Sequence, residues 1–258
     1  MPIVGDRISC SYDATVVLDG ASIRVEPGQV VGLTGPSGSG KSTLARILTG
    51  LQLPDHGAVH VDDAPVSTSR GRMTGHVGLL HQSPRAATNP RMRLGEIIAE
   101  PLRRRRRAWQ PPAARDGGGV VIDDGAAIAD GAARALAARA GLTPDLLERY
   151  PGQVSDGQLQ RACVARALAA HPRYLVCDEP TAMLDAAATA AVAGLLLELA
   201  AADIGILVVS HDHLLLEALC TTVVDLRDLS AAGAGADQRQ GSGLGSPERW
   251  SRRLRLGR

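Results

Sequence analysis

Polar and apolar residues alternate near the start of the chain, which is the pattern of half-buried strands. Between Ile3 and Val31 the segments ISCSY and TVVLDGASIRV predict strands, with a turn at Pro27-Gly28. A short apolar run, QVVGL, then leads into a segment rich in Gly and Ser, and the following ARILTGL has helical spacing. A strand, a glycine loop and a helix in this order predict the first part of a βαβ unit.

Continuous apolar runs alternate with helical segments in much of the remaining chain. The run HVGLL, His76–Leu80, predicts a second buried strand. After Gly157 the pattern predicts alternating helices and strands, in the order QLQRACVARALAAH, YLVCD, Ala186–Leu199, IGILVVS, HLLLEAL and TTVVDL. This alternation is typical of an α/β protein with a parallel sheet.

The composition changes in the middle of the chain and again at its end. Between Ala86 and Gln153, where Arg and Ala are abundant, LGEIIAEPL and AAIADGAARALAARAGL predict helices, and QPPAARDGGGVVIDDG between them predicts a flexible loop. From Ser230 the chain consists mainly of Ala, Gly and Ser and ends in PERWSRRLRLGR. We therefore expect residues 230–258 to form a poorly ordered basic tail.

Charge and composition argue against several classes of protein. The 258 residues include 28 Lys and Arg against 27 Asp and Glu, with two Trp, three Tyr and no Phe, so we expect no nucleic-acid partner. The opening residues lack the pattern of a signal peptide, and the apolar stretch from Ala186 to Ala202 is mostly Ala and contains Glu198, which favours a soluble helix over a membrane span. The four Cys lie far apart, as expected of buried thiols in a reducing compartment.

The first candidate site is the Gly/Ser-rich segment GPSGSGKST, which fits the pattern G-x-x-x-x-G-K-[ST] of a phosphate-binding P-loop. Glycines let the backbone curl so that successive N–H groups point at phosphate oxygens. Lys41 would reach the β- and γ-phosphates, and the Ser42 hydroxyl would bind Mg²⁺. The predicted nucleotide-binding residues here are Gly35, Pro36, Ser37, Gly38, Ser39, Gly40, Lys41, Ser42 and Thr43. An ordinary Gly/Ser turn is the alternative.

The apolar strand YLVCD ends in Asp178 and Glu179, a pair of acids suited to nucleotide hydrolysis. Asp178 would hold the Mg²⁺ of the nucleotide, and Glu179 would take a proton from the attacking water or orient it. A strand that ends in two solvated acids is the alternative.

The order of these and other motifs resembles the ATP-binding subunit of ABC transporters, over about Ile3 to Leu226. The motifs are the P-loop, Gln82 at a strand end, the segment Val154-Ser-Asp-Gly-Gln158, the strand before Asp178-Glu179, Leu184-Asp185, and His211 after an apolar strand. The resemblance implies an α/β, RecA-like P-loop NTPase core with a β-rich N-terminal subdomain and an inserted α-helical signature subdomain. We expect one ATPase domain at 1–229, with the core at 1–85 and 160–229 and the helical subdomain at about 86–159.

The resemblance also implies roles for single residues. Tyr12 would stack on adenine, with an ordinary strand aromatic as the alternative. Gln82 would contact Mg²⁺ and water, so that Ser42, Gln82 and Asp178 form the metal site. Asp185 would lie at a dimer interface, and His211 would contact the γ-phosphate. Lys41, Gln82, Glu179 and His211 are the implied catalytic residues, and ATP and Mg²⁺ are the implied substrate and cofactor.

The segment Val154–Gln158 corresponds to the family signature, whose amides face the nucleotide bound by a second subunit. Ser155, Gly157 and Gln158 match that signature, whereas Asp156 replaces a glycine and places a carboxylate near the expected phosphate. Two interpretations of Asp156 are open: it repels the phosphate and slows one site of an asymmetric pair, or it turns outward as a helix cap.

The segment from His81 to Leu102 is similar to the importers of oligopeptides, dipeptides and nickel. This resemblance implies a second ATPase subunit in a homo- or heterodimer, two transmembrane permease subunits, an extracytoplasmic solute-binding protein, and a peripheral place on the cytoplasmic face of the cell membrane. A non-transport ABC ATPase of translation or DNA repair, and a regulatory module that holds ATP, are the alternatives. For the run Arg103–Arg107 a solvated helix face is favoured over contact with a membrane or an acidic partner.

Overall fold

A computed structural model describes residues 1–13, 15–65, 77–108 and 124–230 of the chain. Its strands are β1 (Ile3–Tyr12), β2 (Thr15–Val25), β3 (Val30–Thr34), β4 (His56–Val61), β5 (Ala64–Pro65), β6 (Val77–Leu80), β7 (Tyr174–Asp178), β8 (Gly205–Val209) and β9 (Thr222–Asp225). Its α-helices are α1 (Lys41–Leu48), α2 (Leu94–Ala108), α3 (Asp124–Arg139), α4 (Asp156–Ala169), α5 (Ala186–Ala201) and α6 (His213–Leu219). Short 3-10 turns occupy Pro144–Glu148, Pro151–Gln153 and Leu226–Leu229.

The strands form two sheets. One has four strands in the order β2-β1-β4-β5, and its neighbouring strands pair in antiparallel. The other has five strands in the order β6-β7-β8-β3-β9, and β8 pairs in parallel with both β7 and β3. Residues 205–209 of β8 are all buried, which agrees with the continuous apolar sequence GILVV of a strand covered on both faces.

The chain divides into two compact units. The first contains Met1–Leu79, Arg173–Pro180 and the described residues from Ala193 on, and the second contains Leu80–Pro172 and Thr181–Val192. The predicted helical subdomain, about 86–159, falls within the second unit, and its definition as a separate subdomain stays a prediction.

The first unit has an aliphatic core between its strands and α1. Ile8, Leu33 and Leu44 are buried there, on β1, β3 and α1 respectively. Tyr174 is the one aromatic side chain among the largest fully buried residues of the described chain. Burial raises the pKa of its hydroxyl to about 12, with the neighbouring Asp62 charge adding to the effect.

The second unit is built on helices α2, α3 and α4. Helix α2 packs against α3, on which Ala129, Ala133 and Ala137 recur every four residues and are buried. This spacing is that of one helix face, and the small side chains allow neighbouring helices to approach closely. Arg103, at the start of the arginine run, binds Asp130 of α3 at 2.7 Å.

Several predictions about these elements are confirmed, and others need correction. The pattern did not predict β4 and β5, and it ended the helix LGEIIAEPL six residues before the observed end of α2 at Ala108. Asp124 and Gly125, assigned to a loop, begin α3. The rest of that predicted loop, the tail after Ser230, His76, and the side chains of Arg104–Arg107 lie outside the described residues.

The cysteines are unpaired thiols. Cys10, Cys163 and Cys177 are buried and Cys220 is half-buried. Burial raises the pKa of Cys163 to about 11 and that of Cys220 to about 12, and it raises the pKa values of Cys10 and Cys177 as well. In the described part of the chain, no helix is both long enough and apolar enough to cross a membrane.

Candidate active site

The loop between β3 and α1 lies at the carboxyl end of a central strand of the five-stranded sheet. Gly35, Gly38 and Gly40 have φ angles of 144°, 76° and 103°, which favour glycine. At Gly40 an added Cβ would also lie 2.8 Å from Val17 Cγ1 and 2.9 Å from the Val17 carbonyl oxygen. Both the backbone angle and the close approach therefore require glycine at this position.

The same loop concentrates hydrogen-bond donors. Lys41 Nζ donates to the carbonyl oxygens of Gly35 at 2.8 Å and Pro36 at 2.7 Å, so the ammonium group lies over the loop. Ser39 Oγ is buried and has no hydrogen-bond partner. Helix α1 begins without a side-chain cap and without an acidic residue in its first turn. A positive charge, an unpartnered hydroxyl and an open helix N-terminus suit a bound phosphate.

The candidate metal ligands of the first unit are adjacent. Ser42 Oγ donates to Asp178 Oδ1 at 3.2 Å, although the two residues lie 136 positions apart in the sequence. Within the described ranges there is no group of three or more His, Cys, Asp or Glu side chains that could hold a metal. Mg²⁺ at a nucleotide is usually held by one or two carboxylates with phosphate oxygens and water, so a hydroxyl beside one carboxylate fits this ion.

Glu179 is held at three points beside this pair. Its amide donates to the Val209 carbonyl oxygen at 2.9 Å, and its Oε2 accepts a bond from Ser210 Oγ at 3.2 Å. Its Oε1 lies 2.8 Å from His211 Nδ1. The Glu179 side chain is 13% exposed and that of His211 is 75% exposed, so the imidazole lies on the solvent side of the carboxylate.

The contact with Glu179 alters the protonation of His211. The hydrogen bond to Glu179, and then its negative charge, raise the pKa of the imidazole above its ordinary value. A protonated His211 therefore holds the carboxylate with a charge-assisted bond. Ser210, which sequence analysis missed, is 1% exposed. The segment VVSHD gave a possible signal, since a polar residue ending a buried apolar strand needs a partner.

Tyr12 ends β1, is exposed, and donates its hydroxyl hydrogen to Gln52 Oε1 at 2.8 Å. It lies in the first unit together with Lys41, Ser42, Asp178, Glu179 and His211. The second unit contains the other predicted site residues, namely Gln82, Ser155, Gly157, Gln158 and Asp185. Gln82 is exposed, two residues beyond the end of β6.

Within the second unit the signature residues form the N-terminus of α4. Ser155 is the cap, because its hydroxyl accepts a bond from the Gln158 amide, and Gln158 Oε1 accepts one from the Ser155 amide at 3.0 Å. At Gly157 a Cβ would lie 2.7 Å from Ala188 Cβ on α5. Asp185 Oδ1 accepts a bond from the Ala188 amide at 2.7 Å and so caps the start of α5.

The interpretation of Asp156 as a helix cap is wrong. Ser155 occupies that position, and Asp156 is the first residue of α4. Its Oδ1 instead accepts a hydrogen bond from Arg85 Nε at 2.8 Å. Sequence analysis missed Arg85, for which the sequence offered no signal at a separation of 71 positions.

A glycine loop between β3 and α1, together with Asp178 at the end of β7 and Glu179 directly after it, defines the class of P-loop nucleotide hydrolases. The profile of the family described as ABC transporter matches residues 18–182. The chain belongs to the ABC transporter family. As a member it is an ATP-binding-cassette ATPase with the predicted α/β P-loop fold, so the resemblance stated from the sequence is confirmed.

Two curated relatives and one solved structure illustrate the similarity. The chain is 40% identical over 220 residues to the nickel import ATP-binding protein NikE of Rhodospirillum rubrum, covering 83% of this chain and 73% of that protein. It is 34% identical over 200 residues to the oligopeptide transport ATP-binding protein OppF of Salmonella typhimurium, covering 76% of this chain but only 55% of that protein. The ATP-binding cassette MJ0796, in a dimeric post-hydrolysis state bound to ADP and Pi, shares the fold with a TM-score of 0.73 at 24% identity, covering 88% of this chain and 95% of that one.

Proposed function

We propose that this chain binds ATP with Mg²⁺ at the loop of residues 35–43, hydrolyses it, and thereby powers an importer for nickel or for peptides. One observation carries the proposal of hydrolysis. The Glu179 carboxylate is fixed by Ser210 and His211 directly after Asp178, whose oxygen contacts Ser42. A base and a metal ligand thus occupy neighbouring positions at the edge of one sheet.

The loop residues hold the phosphates. The amides of residues 35–43 and the ammonium group of Lys41 bind the β- and γ-phosphate oxygens, and Ser39 Oγ offers a further donor. Ser42 and Asp178, which contact each other in the first unit, would hold the metal. When bound, Mg²⁺ neutralises charge on the phosphates and helps to position them.

Glu179 acts on the attacking water. Its carboxylate accepts a hydrogen bond from the water and orients it towards the terminal phosphorus. It receives the proton of the water as the new bond to phosphorus forms and the bond from that phosphorus to the β–γ bridging oxygen breaks, which releases ADP and phosphate. His211, when protonated, holds the opposite side of the carboxylate and contributes a positive charge where the γ-phosphate lies. The bonds from Ser210 and His211 limit rotation of the carboxylate, and each oxygen keeps a further lone pair that can accept a bond from the water.

Tyr12 stacks on the adenine, and the signature of a second ATPase subunit completes each site. The amides of Ser155 and Gly157, with Gln158, face the γ-phosphate bound by the opposite subunit, and Asp185 lies at the interface of this homo- or heterodimer. The first-turn amides of α4 that the Ser155–Gln158 capping bonds do not use, and the dipole of that helix, favour an anion there.

The names of the relatives support import of nickel or of peptides. The segment from Gln82 to Leu102 contacts one of two permease subunits, and an extracytoplasmic binding protein delivers the solute. The chain then works at the cytoplasmic face of the cell membrane. The presence of Glu179 favours this proposal over an ABC module that only holds ATP. The single P-loop and the single Asp178-Glu179 pair favour it over a translation ATPase, which usually carries two ATPase halves on one chain.

The test is hydrolysis of ATP by the complex of the full chain with its partner subunits, in the presence of Mg²⁺. Glu179→Gln should keep nucleotide binding and reduce turnover by about 10²–10⁴-fold, because a positioned base is lost. The matched control is Glu198→Gln, which changes an exposed carboxylate on α5 and should leave turnover unchanged. Equal turnover in the two variants would remove Glu179 from the role of base.

A further inference from the structure

One arginine joins the loop after β6 to the N-terminal end of α4, within the second unit. The guanidinium of Arg85 donates from Nε to Asp156 Oδ1 at 2.8 Å, from Nη1 to the Pro151 carbonyl oxygen at 3.0 Å, and from Nη2 to the Val154 carbonyl oxygen at 3.3 Å. All three nitrogens of the side chain are therefore used on residues 151–156, which lead into the signature helix.

A second arginine attaches the same loop to α4 from the opposite direction. Arg166, ten positions after Asp156 on the helix, donates from Nη1 to the Ala87 carbonyl oxygen at 2.7 Å. The loop itself is closed by the buried Thr88, whose Oγ1 donates to the Pro84 carbonyl oxygen at 2.9 Å. Ten helical residues span about 15 Å, so the two residues of α4 that hold the loop, Asp156 and Arg166, are well separated along the helix.

The contact with Arg85 matters because Asp156 carries a negative charge at the start of α4. Asp156 is the first residue of α4, directly after the Ser155 cap. A carboxylate there suits the helix dipole, but it opposes any further anion at the same amides. Arg85 and Asp156 are 48% and 42% exposed, so the pair is accessible to water and its charges cancel locally.

We propose that Arg85 is a positioning residue for the signature segment Val154–Gln158. It fixes the backbone before α4 through two carbonyl oxygens and neutralises Asp156, which makes an aspartate at this position compatible with a γ-phosphate at the first-turn amides of α4 that the capping bonds do not use. The second part rests on the proposed function, in which these amides face a nucleotide. The first part concerns the folded chain alone and is independent of it.

Arginine is specifically suited to this arrangement. Its planar guanidinium directs several N–H groups at fixed angles, so it can bind a carboxylate and two carbonyl groups at once. A lysine at the same position keeps the positive charge but has one small ammonium group at the end of a flexible chain. A comparison of arginine with lysine at position 85 therefore separates the neutralisation of Asp156 from the fixation of the backbone.

The first experiment measures hydrogen–deuterium exchange of the full chain without nucleotide. Arg85→Ala should speed exchange of the amides at residues 154–158 by about tenfold, because bonds from a charged donor are lost and the helix end opens more often. Arg85→Lys should give nearly the same increase, and Asp156→Ala a smaller one, since two of the three bonds remain.

The matched control for exchange is Arg103→Ala. It removes an arginine–aspartate pair of the same second unit, at 2.7 Å and with similar exposure, which does not involve residues 151–158. It should leave exchange at 154–158 unchanged. If Arg85→Ala behaves like this control, Arg85 does not fix the signature segment.

The second experiment measures KM for ATP and kcat in the complex with partner subunits. Arg85→Ala should raise KM about tenfold, because the unpaired Asp156 repels the phosphate, with a smaller effect on kcat. Arg85→Lys should have a KM much closer to that of the wild type than Arg85→Ala has, although its amide exchange stays fast. The double variant Arg85→Ala/Asp156→Ala should have a KM within about twofold of the wild-type value.

The outcomes of the two experiments are distinct. Faster exchange with an unchanged KM, or a KM that the double variant does not recover, would overturn the neutralisation of Asp156 and leave the fixation of the backbone. Absence of hydrolysis in the wild-type complex would instead overturn the proposed function, while the exchange result would still stand.

Discussion

At the scale of single residues, Glu179 shows how a demanding local conformation is kept. Its φ of 49° lies in the left-handed region, which costs a non-glycine residue about 1–3 kcal/mol. The amide bond to Val209 and the side-chain bonds to Ser210 and His211 hold the residue in place. These three hydrogen bonds, one from the amide and two at the carboxylate, thus offset the backbone strain at the residue proposed as the base.

The Glu179–His211 contact predicts a dependence of stability on pH. The pKa of folded His211 lies above its ordinary value of 6.5, so the folded state binds the imidazole proton more tightly than the unfolded state does. This stabilisation is complete below about pH 6.5 and is lost as the pH rises through the raised pKa. Glu179 and Asp212 favour the protonated form, and Lys41 opposes it.

The measurement is the melting temperature of the full chain between about pH 6 and pH 8. The wild type should lose more stability over this interval than His211→Gln, in which the titrating group is absent. His213→Gln, which removes an exposed imidazole at the start of α6, should follow the wild type. A wild-type profile parallel to that of His211→Gln would show that the contact has no linked proton.

The residues of the candidate site could be predicted from sequence, but the residues that contact them could not. A fixed spacing located Lys41 and Ser42, and an apolar strand before two acids located Asp178 and Glu179. The contacts made by Ser210 and Arg85 link residues 31 and 71 positions apart, and they depend on how the elements pack. Local patterns carry no information about such distances. The roles of the predicted site residues stay predictions.

At the scale of elements, we expect alanine substitutions at two glycines of the turn from β3 into α1 to lower the free energy of unfolding by different amounts. Gly38 and Gly40 both have positive φ angles, but a Cβ at Gly38 would have no atom within 4 Å, whereas one at Gly40 would meet Val17. Gly38→Ala should cost about 1–2 kcal/mol from the backbone angle alone. Gly40→Ala should cost about 2–4 kcal/mol, because the overlap with Val17 adds to that angle.

Urea unfolding of the full chain, followed by circular dichroism, measures both costs, and Gly38→Ala serves as the matched control for Gly40→Ala. The difference between the two free energies of unfolding isolates the contact with Val17. Equal losses would mean that the strand β2 yields to the added methyl group without strain.

The elements that sequence predicted best are those with continuous apolar runs or regular helical spacing. β7 and β8 appear where YLVCD and IGILVVS indicated, because burial on both faces leaves a clear apolar run. β4, HGAVHV, was missed because its sequence has only a short apolar alternation, and its conformation is supported by antiparallel pairing with β1. Pairing of this kind is a tertiary property.

At the scale of the whole molecule, membrane attachment should depend on partner subunits. The chain carries a net charge of +1, and Arg103 of the arginine run is engaged with Asp130. Each basic residue near an anionic surface contributes about 1 kcal/mol, so a short run whose first arginine is already paired with an acid gives weak binding. We expect the chain alone to stay at the bottom of a flotation gradient with vesicles of phosphatidylethanolamine and phosphatidylglycerol.

Coexpression with the permease subunits in the same membrane should bring the chain into the floating fraction. Replacing Arg104, Arg105, Arg106 and Arg107 with alanine provides the control for a direct interaction with lipid. If the chain floats without partners and this variant does not, the arginine run is a lipid-binding element and the attachment proposed here is wrong.

The low reactivity expected of the four cysteines bears on how this protein can be labelled. Thiolate is the form that reacts with maleimides, and a thiol with a pKa of about 11 is ionised to roughly one part in 10⁴ at neutral pH. Burial also limits access of a reagent to Cys10, Cys163 and Cys177. Met183, by contrast, is 72% exposed. A cysteine introduced at Met183 would therefore accept a fluorophore or a spin label selectively, with the four native cysteines left in place.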